Sequence, residues 1–191
     1  MRVIAGSFRS RTLQAPAGLA TRPTSDRLRE TLFNVLSPRI EGARFLDLHA
    51  GSGAVGIEAL SRGAIDVVFV ERASAALKVL RANLARLGLT QGFRIVSGSA
   101  AGFLRNPSTN NRFDLVFLDP PYDAAEEYAA MLGSLGGPAA AVLAEGAIVI
   151  AEHRRKDTLE DAFGALRRTR LLQQGDAALS FYAVNKTAIS S

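Results

Sequence analysis

From Arg44 onward the sequence alternates short apolar runs with stretches of helical periodicity, which restricts the chain to a sheet whose consecutive strands are joined by helices. Strands are predicted at 44–48, 67–71, 93–97, 113–118 and 147–152, and helices at 54–62, 73–87, 124–135 and 157–166. The expected fold is a doubly wound α/β sheet, mostly parallel. The end of the chain changes character. Residues 168–173 and 178–184 read as antiparallel strands around Gln174-Gly175-Asp176, so the sheet becomes mixed and closes with a hairpin.

Ahead of this domain, Arg2–Ala5 and Arg11–Gln14 flank Gly6-Ser7-Phe8 as a short hairpin, too small to be stable unless docked. Pro16 and Gly18 break it, and Pro23-Thr24-Ser25-Asp26 supplies capping residues for a helix over Arg27–Leu36, ended by Ser37-Pro38. Leu28, Leu32, Val35 and Leu36 fall at helical spacing and should pack on the main domain, leaving Arg27, Glu30 and Asn34 on other faces. The chain thus divides into an N-terminal extension at 1–42, an α/β domain at 43–186 and a tail at 187–191.

Charge separates the same parts. Residues 1–44 hold eight arginines against Asp26, Glu30 and Glu41, a net of +5 that equals the charge of the whole chain, so the remainder is neutral. Such clustering suits contact with a polyanion, and Arg2, Arg9, Arg11, Arg22, Arg27 and Arg29 are the candidate nucleic-acid contacts. Cysteine is absent, and His49 and His153 lack metal-ligand spacing, so neither a thiolate nor a metal site is expected. No apolar run approaches the roughly 20 residues of a membrane span, and no targeting segment follows Arg2; a cytoplasmic protein without membrane contact is expected.

The segment Asp47-Leu48-His49-Ala50-Gly51-Ser52-Gly53-Ala54-Val55-Gly56 sits where the first strand of the α/β domain meets its first helix. Glycines there let backbone approach a ligand at a helix N-terminus. Gly51-x-Gly53-x-x-Gly56, with Glu71 ending the second strand, matches a fingerprint that nicotinamide and S-adenosylmethionine enzymes share. Asp47 favours the latter, because a carboxylate beside the glycines suits an amino-acid ammonium and would repel a pyrophosphate. The candidate cofactor-binding residues are Asp47, His49, Ala50, Gly51, Ser52, Gly53 and Glu71, with Ser99 and Ala100 after the third strand as candidates near an adenine ring.

Asp119-Pro120-Pro121-Tyr122 follows the predicted strand 113–118, at the carboxyl edge where ligands of such sheets bind. Consecutive prolines lock φ and stop the strand, which holds the Asp119 carboxylate and the Pro120 carbonyl in a fixed outward geometry. Two fixed acceptors can hold an exocyclic amine by both hydrogens while Tyr122 stacks on its ring, an arrangement suited to methyl transfer onto a nucleobase nitrogen. An ordinary turn is the competing reading of the tetrapeptide alone.

With these motifs placed, the chain resembles the RsmD family of 16S ribosomal RNA guanine-N2 methyltransferases. The resemblance is carried by Met1–Gly6, Arg9-Ser10-Arg11, Arg22–Asn34, Asp47–Gly56, Glu58–Ala64 and Asp119–Tyr122, of which Arg22–Asn34 is the most specific. It implies a Rossmann-like methyltransferase using S-adenosylmethionine, with Asp47, Gly51 and Gly53 around the methionine and ribose parts, Glu71 on the ribose hydroxyls, and Asp119 to Tyr122 holding the base. The implied substrate is 16S ribosomal RNA, within a 30S subunit or an assembly intermediate, acted on by a monomer. The sequence departs from the commoner family pattern at Ser99, often an acid, at His49, often aromatic, and at Ser10, usually glycine. Three other readings remain open: a DNA or other RNA amino-methyltransferase acting on adenine N6 or cytosine N4, a nicotinamide-dependent oxidoreductase, and a non-catalytic RNA-binding protein.

Overall fold

A computed structural model describes residues 1–15, 25–107, 112–120 and 125–185. Pro16, Gly18, Arg22, Pro23, Thr24, Pro121, Tyr122 and the predicted tail at 187–191 lie outside the described residues. The chain forms two compact units, Met1–Ser99 and Ala100–Ser191.

In the first unit, β1 (Arg44–Asp47), β2 (Asp66–Glu71) and β3 (Phe93–Ser97) are parallel, in the order β3-β2-β1. Val67 to Val70 of β2 are all buried, as a strand covered on both faces requires. Helices α1 (Asp26–Ile40), α2 (Ala54–Ser61) and α3 (Ser74–Arg86) complete the unit. Helix α2 lies hard against the sheet because Gly56 has no side chain: a Cβ there would stand 2.2 Å from the ring of Phe69.

Helix α1 is capped by Ser25, whose Oγ accepts from the Leu28 N–H at 3.1 Å. It runs through Ser37-Pro38 to Ile40 instead of stopping there. Pro38 sits in the last turn, where it removes only one hydrogen bond, and burial of Ile40 holds the turn in helical form. Its packed face carries Leu28, Leu32 and Leu36 as predicted, but also Phe33 and Arg29, while Val35 is only half-buried.

The N-terminal hairpin is docked. Arg2 and Thr12 form an antiparallel bridge, and Val3 and Leu13 are buried. Its anchor is Glu58 of α2, a carboxylate with no solvent exposure that accepts from the N–H groups of Ile4 (2.7 Å) and Ala5 (3.0 Å) and pairs with Arg62 (2.7 Å) and Arg29 (3.7 Å). Three hydrogen-bond donors and the nearby Arg29 charge compensate this buried carboxylate and tie three separated segments together.

The second unit contains α4 (Ala100–Arg105), β4 (Phe113–Leu118), α5 (Ala125–Leu135), β5 (Leu143–Arg154), β6 (Ala162–Phe163), β7 (Leu166–Gln174) and β8 (Ala177–Val184). The order is β4-β5-β8-β7-β6, with β4 and β5 parallel and the remaining pairs antiparallel, so the terminal hairpin stands as predicted. The helix predicted at 157–166 is absent. Gly164 there takes φ +55, and Gly136 after α5 packs so closely that a Cβ on it would lie 1.8 Å from the Phe163 carbonyl oxygen. The Ala165 N–H donates to the Gly136 carbonyl at 2.7 Å, and Phe163 meets the Tyr182 ring edge-on at 5.7 Å. These tertiary contacts pull the segment into β6, overriding its helical periodicity.

Candidate functional site

The glycine loop is built by the ends of β1 and β2. Asp47, the last residue of β1, is 1% exposed; its Oδ2 accepts from the Gly56 N–H at 3.2 Å, and its Oδ1 is buried with no hydrogen-bond partner among the described residues. Burial above all, with the Glu71 charge adding to it and the Gly56 and His49 backbone N–H groups opposing, pushes the Asp47 carboxyl up to about 7. A cation brought to Oδ1 would relieve both the missing hydrogen bond and the cost of ionisation.

Glu71 ends β2 and is half-buried, and its two oxygens accept from the N–H groups of Gly51 (2.8 Å) and Ala73 (2.7 Å). Each carboxylate oxygen keeps a lone pair for a ligand hydroxyl. The acid predicted to meet a ribose therefore also ties down the loop. Gly53 takes φ +83 as the N-cap residue of α2, a left-handed conformation that costs a side-chain-bearing residue roughly 1–2 kcal/mol. Ala50 is buried, with its N–H on the Val70 carbonyl at 3.0 Å; His49 is half-buried; Ser52 is buried. Two carboxylates, a backbone turn and a buried orphan oxygen suit an ammonium-bearing, hydroxyl-bearing ligand better than a diphosphate.

Asn83 of α3 is a buried residue beside the glycine loop that sequence reasoning missed. It has no exposure, and its Nδ2 donates to the Ser52 carbonyl at 2.9 Å. A lone Asn in an amphipathic helix gives no signal of this, because its partner is 31 positions away.

Ser99 is exposed and lies just before α4, and Ala100, its first residue, is buried. Asp119 and Pro120 belong to the second unit, where they leave β4 half-exposed and buried respectively. Among the candidate nucleic-acid contacts, Arg2, Arg9, Arg11 and Arg27 are exposed. Arg29 is a correction: it is 0% exposed, donates to the Arg2 carbonyl and pairs with Asp26 (3.0 Å) and Glu58 (3.7 Å), leaving no surface for a phosphate. Desolvation pulls its pKa down, and the two carboxylates oppose that shift. Ser10 takes φ +70, a left-handed conformation that favours glycine.

The family model described as "Conserved hypothetical protein 95" matches residues 1–183. The Bacillus subtilis protein named "Putative rRNA methyltransferase YlbH" is 38% identical over 183 residues, spanning 95% of this chain and 98% of its own. "Ribosomal RNA small subunit methyltransferase D" of Escherichia coli K12 is 44% identical over 122 residues, spanning 64% of this chain and 60% of its own. Among solved structures, "Putative methyltransferase yhhF from Escherichia coli" superposes with a TM-score of 0.82 at 35% identity, covering 97% of this chain and 98% of that one. These likenesses bear out the α/β fold and the resemblance to the RsmD family, and the chain belongs to the family described as conserved hypothetical protein 95.

Proposed function

We propose that the chain transfers a methyl group from S-adenosylmethionine to the exocyclic N2 of a guanine in small-subunit ribosomal RNA. The observation that carries the cofactor choice is the buried Asp47 carboxyl with its orphan oxygen, set beside the Glu71 carboxylate at the glycine loop. The names of the relatives support methyl transfer to small-subunit ribosomal RNA, and the guanine amine follows from the family resemblance. The cofactor, when bound, supplies an electrophilic sulfonium methyl with a neutral leaving group. Asp47 holds its ammonium, Glu71 its ribose hydroxyls, and the backbone from Ala50 to Gly53 encloses it.

At the acceptor, the Asp119 carboxylate and the Pro120 carbonyl take the two N–H groups of the guanine amine, and Tyr122 stacks on the base. Positioning would supply most of the rate, because two fixed acceptors orient the amine nitrogen. The amine proton becomes acidic as the N–C bond forms and passes late to Asp119 or to water. The exposed arginines Arg2, Arg9, Arg11 and Arg27 contact the RNA backbone, and with stacking on Tyr122 they offset the few kcal/mol of unstacking the guanine. The RNA is taken within a 30S subunit or an assembly intermediate, by a monomer in the cytoplasm; among the described residues no helix is long and apolar enough to cross a membrane.

Counting labelled methyl in 16S RNA tests the reading. Wild-type protein is expected to incorporate label, and Asp119→Ala to abolish turnover with S-adenosylhomocysteine affinity unchanged. Loss of both together would give Asp119 a folding or cofactor role instead.

A further inference from the structure

Both N–H donors and the carbonyl oxygen of the buried Asn83 amide are engaged. Nδ2 donates to the Ser52 carbonyl (2.9 Å) and to the Gln14 carbonyl (3.1 Å), and Oδ1 accepts from the Gln14 N–H (2.8 Å). Two carbonyls demand the donor end and one amide demands the acceptor end, so the orientation of the side chain is forced. One side chain therefore joins the tip of the glycine loop to the segment that carries Arg2, Arg9 and Arg11. Neither a carboxylate nor an aliphatic residue could make all three bonds.

The loop and the segment meet by a second route. Gly53 starts α2, whose Glu58 and Ser61 hold the N–H groups of Ile4, Ala5 and Phe8. That route fixes the beginning of the segment. Gln14, at its far end, is bonded directly to the residue that orients the Ser52 peptide.

We propose that Asn83 is a positioning residue that couples the seating of the basic N-terminal segment to the cofactor loop, so that RNA and cofactor bind with positive cooperativity. This rests on the reading that the loop holds S-adenosylmethionine and the segment meets RNA. A ligand that orders either end of the Asn83 amide spares the other ligand part of the ordering cost, and by linkage the effect is reciprocal.

The test is RNA affinity with and without saturating S-adenosylhomocysteine, together with hydrogen exchange of residues 1–14. In wild-type protein S-adenosylhomocysteine is expected to tighten RNA binding by about fivefold or more and to slow exchange at Gln14. Asn83→Ala should bring that factor to near one. Gln14→Pro, which removes the Gln14 N–H and leaves the Asn83 to Ser52 bond in place, should lower the factor while cofactor affinity alone is unchanged; it decides the matter if Asn83→Ala fails to fold. A factor of one in wild-type protein that binds both ligands, or a factor that survives in the folded variants, overturns this proposal alone. Wild-type protein that binds no S-adenosylhomocysteine overturns the underlying reading and this proposal with it.

Discussion

Cofactor affinity should rise with pH through the range in which Asp47 loses its proton. In the free protein burial holds this carboxyl up to about 7, above the roughly 3.9 of an unfolded aspartate, so below pH 7 it is mostly protonated and neutral. A ligand ammonium needs the ionised form, so binding below pH 7 must release a proton. If the ammonium pairs only with the carboxylate, affinity changes by the ratio of ionised fractions, about 25-fold between about pH 5.5 and pH 7.5. The ligand's own amine titrates at about 8 or above and stays mostly charged over that range. Calorimetry of S-adenosylhomocysteine binding, in two buffers of different ionisation enthalpy, should show close to one proton released at low pH and almost none at high pH. Asp47→Asn should flatten the profile and weaken binding about tenfold or more at the upper end, the worth of a hydrogen bond to a charged group. A flat wild-type profile, or the same slope in Asp47→Asn, would refute the assignment.

The same shift runs the other way for stability. A raised carboxyl pKa means the folded state holds a proton the unfolded state has lost, so Asp47→Asn should gain about 2–3 kcal/mol on the unliganded wild type between about pH 5 and pH 8 in denaturant titrations. Glu58→Ala strands the buried Arg29 and two backbone N–H groups, and should lower stability by about 3–5 kcal/mol in the same assay while exposing residues 1–5 to hydrogen exchange. Gly56→Ala drives a methyl into the buried Phe69 ring and should cost about 1–3 kcal/mol. Ser10→Gly relieves the left-handed backbone at φ +70 and should raise stability by roughly 0.5–1 kcal/mol; a fall in Tm would show that the Ser10 side chain does more than tolerate its conformation.

The parallel strands were legible because their apolar runs are short, bounded and separated by helical stretches, and β1 to β4 were placed to within a residue. The glycine loop was legible because its chemistry is local: Asp47, Gly53 and Gly56 lie within ten positions. What escaped was decided by partners distant in sequence. Residues 157–166 look helical until Gly136 presses on Gly164, and Arg29 looks like a phosphate contact until Glu58 and Asp26 enclose it. Asn83 carries no motif, and the stretch Glu58–Ala64 gives Glu58 no visible role, since the meaning of both side chains lies in backbone groups 31 to 69 positions away. The six-residue α4 is too short for a periodicity to declare itself.

The central claim is methyl transfer to a guanine amine in ribosomal RNA, and its most direct test is nucleoside analysis after transfer of labelled methyl from S-adenosylmethionine to small ribosomal subunits lacking their own guanine-N2 methylation. Label recovered as N2-methylguanosine with wild-type protein, and none with Asp119→Ala, is the predicted result. Label in another nucleoside or in protein, or no label from protein that binds S-adenosylmethionine, would contradict it.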